Sequence, residues 1–157
     1  KQLLRNMIKQ GKIFRITKGF YSKYEDPSLC VLCFKPCYIG LQSALSFHNL
    51  WEQEVIPIVI SSKKVRQGIR KIGDSKVLIR RIRKQYLFGF DYYPDGDFYL
   101  PYSDLEKTFI DLIYYKQHLD NEVLIKIKKL MDINKLNGYL KKYPSRFRNN
   151  VLKLLDS

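Results

Sequence analysis

Between residues 2 and 10, apolar side chains fall at Leu3, Leu4, Met7 and Ile8, and Gln2, Arg5, Asn6, Lys9 and Gln10 occupy the positions between them. This is the spacing of a helix with one apolar face. Gly11 follows, where a left-handed helix cap is cheap. "KIFRI" and "FYSKY" then alternate around Lys18-Gly19 and predict a β-hairpin. At Asp26-Pro27 the pattern changes, which places a boundary in 24–28.

Beyond that boundary "LCVLCF" reads as a short apolar strand, "GLQSALSFHNLW" as a helix opened by Gly40, and "VIPIVISS" as a buried strand. "QGIRKI" and "KVLIRRIR" flank Gly73-Asp74-Ser75 as a second hairpin. "FGFDYY" and "DFYLPY" flank Pro94-Asp95-Gly96 as a third. "SDLEKTFIDLIYYKQ" opens a helical end of the chain, with Ser103 and Glu106 at capping-box spacing. "NEVLIKIKKLMD", "INKLNGYLKKY" and "PSRFRNNVLKLLD" supply three more helices, the last opened by Pro144. The expected fold class is α+β: a partial winged helix-turn-helix (helix plus β-wing) over residues 1–25, then a mixed β-sheet domain with a helical C-terminus over 26–157.

Composition makes the chain globular, with 45% hydrophobic and 14% aromatic residues in 157. Charge changes the picture more. The formal net charge is +14, more than solubility requires, and points to a polyanionic partner. It is also segregated. Residues 1–24 carry Lys1, Arg5, Lys9, Lys12, Arg15, Lys18 and Lys23 and no acid, and residues 60–90 carry ten Lys/Arg against Asp74 alone. Apolar runs are too short to span a bilayer, and a soluble cytoplasmic protein without a membrane partner is expected. Lys1 stands where a start Met would, inside a helical pattern, so the natural protein is expected to begin earlier.

Helix, glycine and basic hairpin form the layout of the last helix and wing of a winged helix. Such a helix presents long donors to base edges in the major groove, and its wing holds phosphates beside it. Arg5, Asn6 and Lys9 are therefore the candidate base readers, with Lys12, Arg15, Lys18 and Lys23 as backbone contacts. Lys63, Lys64, Arg66, Arg70, Arg80, Arg81 and Arg83 are possible additional phosphate contacts. The bland alternatives are a packed amphipathic helix with solvated charges, and a sheet edge whose cations discourage strand pairing.

Other chemistry is less well supported. Cys30, Cys33 and Cys37 form C-x2-C-x3-C, but on a strand Cys30 and Cys33 would face opposite ways and no second pair completes a metal site. Buried thiols are the expectation, and no metal or other cofactor is expected. His48 falls on the apolar face of its helix and His118 near the end of the next, and neither has a sequence-level reason to act as a base. Asp95, Asp104, Glu106 and Asp111 are the acids a metal-dependent nuclease of restriction-endonuclease type would use. Glu106, however, has its capping role, and Asp111 lies one turn beyond Lys107 as an ordinary surface pair.

"LLRNMIKQGKIFRITKGFYSK", "YIGLQSALSFHNLWEQ", "IPIVISSKKVRQG", "YLFGFDYY", "YLPYSDLEKTFIDLIYY" and "NKLNGYLKKYPSRFRNNVLKLL" together resemble the AbiEi family of antitoxin-type transcriptional regulators of type IV toxin–antitoxin, abortive-infection systems. The resemblance covers most of the chain through structural rather than catalytic motifs. It implies a repressor that binds double-stranded DNA at its own promoter and antagonises a nucleotidyltransferase-like toxin, and that is not itself an enzyme. It also implies that the start of the winged-helix domain precedes Lys1. The alternatives are the nuclease and a basic protein-interaction domain. Operator, oligomeric state and source are not encoded in any of these motifs.

Overall fold

The computed structural model describes residues 1–157. It is an α+β chain whose elements run, in order, α1 (Gln2–Lys9), β1 (Phe14–Thr17), β2 (Phe20–Ser22), a 3-10 helix (Pro27–Cys33), β3 (Cys37–Ile39), α2 (Leu41–Phe47), β4 (Ile58–Ser61), β5 (Gly68–Ile72), β6 (Ser75–Arg81), β7 (Phe90–Asp95), β8 (Phe98–Ser103), α3 (Leu105–Tyr114), α4 (Asn121–Leu130), α5 (Ile133–Leu140) and α6 (Ser145–Asp156). No helix is long and apolar enough to cross a membrane.

β1 and β2 form a separate two-stranded sheet, and the other strands form one six-stranded sheet in the order β5-β6-β4-β3-β8-β7. β3 runs parallel to β8 and β4 parallel to β6, whereas β3 and β4 are antiparallel. Both edges are hairpins. The pairings Ile72↔Ser75 and Asp95↔Phe98 leave two-residue loops at Gly73-Asp74 and Gly96-Asp97. Gly73 and Gly96 take φ of +59° and +60°, which such tight loops require. Pro94 and Asp95 are thus the end of β7 and not turn residues. An edge strand tolerates the missing N–H of proline.

The sheet is covered on both faces. On one, α2 to α6 pack over Tyr38, Ile58, Ile60 and Ile82. On the other, Leu29, Cys30, Val31 and Cys33 cover Ile39, Val59, Val77, Ile79 and Leu100. That covering segment is the stretch expected as a strand. It is a 3-10 helix because Asp26 accepts a hydrogen bond from Ser28 N at 2.9 Å and Pro27 takes the first turn. The N-terminal hairpin packs beside it, with Ile13 buried and Ile16 against the same core.

The start of α3 also differs from expectation. Ser103 is still in β8, its buried hydroxyl 2.7 Å from Thr108 Oγ1, and the cap is Asp104, which accepts from Lys107 N at 2.8 Å. Glu106 does not fold back as a capping box; it accepts from Asp132 N at 2.9 Å, tying α3 to the start of α5.

The largest correction concerns Lys107 and Asp111, which are not a surface pair. The Lys107 side chain is 0% exposed. Its Nζ donates to Asp111 Oδ1 at 2.6 Å and to Tyr143 Oη at 2.8 Å, and Asp111 Oδ2 accepts from Tyr38 Oη at 2.6 Å. The Phe88 ring centroid lies 4.7 Å from the same ammonium, close enough for a cation–π contact. Burial pushes the pKa of Lys107 down and that of Asp111 up, and in each case the partner's charge opposes the shift. Gly89, at φ +74°, permits this packing, since a Cβ there would stand 2.7 Å from Lys107 Cβ.

Lys107→Met alone should cost about 3–5 kcal/mol in denaturant unfolding, because it leaves the Asp111 carboxylate buried without a counter-charge. Adding Asp111→Leu should return most of that loss. A single substitution no worse than a surface change would show that the pair carries no such constraint.

Candidate nucleic-acid interface

α1 buries none of its residues. Arg5, Asn6 and Lys9 are exposed, as are Lys12, Arg15, Lys18 and Lys23 on the segment that follows. Lys9 sits in the last turn, where a cation suits the helix dipole. Asn6 Oδ1 lies 3.4 Å from Gln2 Nε2. Gly11 and Gly19, at φ +69° and +83°, make the two reversals that fold helix and hairpin together. The apolar face of α1 is only partly used. Leu3 is 71% exposed, whereas Ile8 lines a groove with Ile13, Ile16, Tyr24 and Ile72.

The hairpin therefore sits at the Ile72–Ser75 end of the β5–β6 edge. Lys63, Lys64 and Arg66, all exposed, occupy the loop before Gly68 at the other end of β5. A five-residue strand separates the two groups by on the order of 15 Å. Arg70 is half-buried over the Phe34 ring at 5.3 Å, and its Nη2 donates to Arg66 O at 3.0 Å, so its guanidinium is held in place. Arg80 is set apart, half-buried at 5.7 Å from the Tyr115 ring beside the end of α3. Arg81 and Arg83 are exposed near the end of β6. The basic sequence run is thus divided between faces and does not form one stripe.

Negative charge bounds the surface on one side. Lys23 and Tyr24 share a groove with Glu25, Asp26, Asp95 and Asp97. Lys23 is the hairpin cation that meets all four, and Arg15 shares the neighbouring groove with Glu25 and Asp26. Nothing in the spacing of these acids along the chain signalled that they would meet there.

The acids considered for catalysis each have partners. Asp95 accepts from the Tyr102 hydroxyl. Asp104 caps α3 and takes Tyr139 Oη and, at 3.1 Å, Lys135 Nζ. Glu106 holds Asp132 N, and Asp111 is enclosed with Lys107 and Tyr38. His48 Nε2 lies 2.9 Å from Ser103 O, packed as its helix face suggested, and His118 is exposed beside Asp120 at 3.3 Å.

The cysteines are free and buried. The 3-10 helix sets Cys30 and Cys33 on one face, since residues three apart eclipse there. The expectation of opposite faces is corrected accordingly. Cys37 Sγ donates to Val31 O at 2.7 Å. No group of three His, Cys, Asp or Glu is arranged to hold a metal ion. Burial pushes the thiols of Cys30 and Cys37 up to about 12 and raises that of Cys33. No protein-family model matches the chain, and no curated protein matches it significantly.

At about pH 8 none of the three thiols should react with iodoacetamide until the protein unfolds. The alkaline consequence has a definite sign. Unfolded thiols ionise near 9, while the folded thiols of Cys30 and Cys37 keep their protons to about 12. Their contribution to stability is intact below about pH 9 and is lost as pH rises through that window. A Cys30→Ala/Cys37→Ala variant should lose less stability between about pH 8 and pH 10 than the parent, measured by urea unfolding.

Proposed function

We propose that this chain is a DNA-binding transcriptional regulator of the AbiEi antitoxin type, acting on duplex DNA through α1 and the β1–β2 hairpin. One observation supports the reading above others. A helix and a hairpin, consecutive in sequence, expose every one of their Lys and Arg side chains, with no acid before Glu25. A duplex carries about one negative charge per 1.7 Å of axis, so such a surface gains by counterion release wherever it docks. The helix supplies Arg5, Asn6 and Lys9, donors long enough to reach base edges, and the hairpin supplies Lys12, Arg15 and Lys18 at the flank. Lys63, Lys64 and Arg66 extend the same charge along the β5 edge.

In this reading residues 26–157 form the platform that holds the basic unit and offer the surface for a nucleotidyltransferase-like toxin. The buried pair, the capped helices and the covered sheet fit a scaffold. The four candidate acids are already engaged in holding it together, which is why the regulator is preferred to the nuclease.

Binding to the duplex upstream of the chain's own coding sequence, against a scrambled duplex, tests the proposal. Arg5→Ala or Lys9→Ala should reduce the preference for the promoter by about 1–3 kcal/mol. Lys12→Ala, Arg15→Ala or Lys18→Ala should weaken both duplexes alike and lower the slope of log K against log salt by about 0.9 each. Equal affinity for both duplexes, unchanged by Arg5→Ala and Lys9→Ala, would overturn it.

A further inference from the structure

The β1–β2 hairpin carries more than charge. Phe20 and Tyr21, at the start of β2, are 45% and 40% exposed. Neither stacks on another ring, whereas Tyr24 a turn later is held edge-on against Phe98 with centroids 4.9 Å apart. Arg15 stands directly across the ladder from Tyr21, Thr17 across from Phe20, and Lys18 lies in the loop between the strands. Two free aromatic rings are thus set beside Arg15 and Lys18, with no acidic residue in the hairpin between them.

Duplex phosphates need only the cations. The faces of paired bases are already stacked inside the helix, so exposed rings gain little from a duplex. An unpaired base offers its face to any aromatic ring, and cation-flanked rings are the recurring platform for single strands. Geometry adds a second argument. Consecutive strand residues point to opposite sides, so Phe20 and Tyr21 flank the hairpin tip on its two faces. A flexible single strand can cross the tip and place a base on each side. A duplex, stiff over roughly 150 base pairs, cannot bend around a two-stranded ribbon in this way.

We propose that the tip of the β1–β2 hairpin is a stacking site for unpaired nucleotides, with Phe20 and Tyr21 holding bases and Arg15 and Lys18 holding the adjoining phosphates. This rests on the nucleic-acid reading above and deepens it: the same unit that docks on duplex would also grip a melted or single-stranded segment. Tyr24 is left out, since Phe98 holds its ring and Asp95 and Asp97 line its groove.

The test uses the full chain, an oligothymidylate of roughly 20 nucleotides and a scrambled duplex of the same length, at about 0.15 M salt, read by fluorescence anisotropy. Phe20→Ala and Tyr21→Ala, both at exposed positions, should each weaken oligothymidylate binding about tenfold and leave duplex binding within twofold. Tyr21→Phe should keep the parent affinity, and ultraviolet crosslinking should attach thymidine to the peptide that holds Phe20 and Tyr21. Lys18→Ala should weaken both ligands. Parent-like oligothymidylate binding by both aromatic variants, with duplex binding intact, would overturn the stacking site and leave the duplex proposal standing. Failure of the parent chain to bind either ligand would overturn both.

Discussion

A lysine and an aspartate sealed inside the protein organise its architecture. Two charges taken out of water cost several kcal/mol each unless geometry and hydrogen bonds compensate closely. Here Lys107 spends one proton on Asp111 and one on Tyr143, and its ammonium faces Phe88, while Asp111 takes a further hydrogen bond from Tyr38. The partners come from different places: Tyr38 from the central strand β3, Phe88 from the approach to β7, and Tyr143 from the link between α5 and α6. Loss of Tyr38 or Tyr143 would leave a buried charge short of a hydrogen bond, and loss of Phe88 would remove the ring that faces the ammonium. A sheet and a C-terminal helical layer that might have packed in several registers are therefore held in one.

The same economy explains where the excess positive charge lies. In the core every charge must be matched, and the acids nearest α3 are committed to it. Asp104 and Glu106 cap and tie helices and hold Lys135, at 3.1 and 3.8 Å. The cations without such partners stay at the surface, on α1, the first hairpin, the β5–β6 edge and the C-terminal helices, where water screens them and they cost little. What sets the N-terminus apart is the absence of acid: residues 1–24 carry seven Lys/Arg and no Asp or Glu, against 22 Lys/Arg and 14 Asp/Glu over residues 26–157. α1, which buries nothing, is the part of the chain with the fewest packing obligations.

Much of this was legible in the sequence. The three hairpins, the Gly40-opened helix and the four C-terminal helices follow from periodicity and turn residues, because each is specified by contacts close in sequence. The 3-10 helix was misread as a strand. The Asp26-Pro27-Ser28 start signal was present, but six apolar or small residues after it masked the period. Lys107 and Asp111 were misplaced because an i, i+4 pair of opposite charges usually lies on a solvated face. Lys107, Thr108 and Asp111 make a polar side on α3 that reads as solvated; it is buried because α5, α6 and Tyr143 come over it from far along the chain, which has no local signal. The candidate interface was legible as charge and order. The division of the second basic run between faces, and the acidic groove beside Lys23, depend on long-range packing and had no local signal.

The exposed rings of the first hairpin are where these considerations meet. A hairpin that served only to pack on the sheet would be expected to turn its aromatic side chains inward, since each buried ring is worth more than almost any other side chain. Phe14 and Ile16 do face inward, lining the groove against Ile72, so the hairpin already has its anchor. Phe20 and Tyr21 remain outside, unstacked, next to cations. In the folded chain alone that exposure brings no gain, which is the physical ground for the stacking site proposed above.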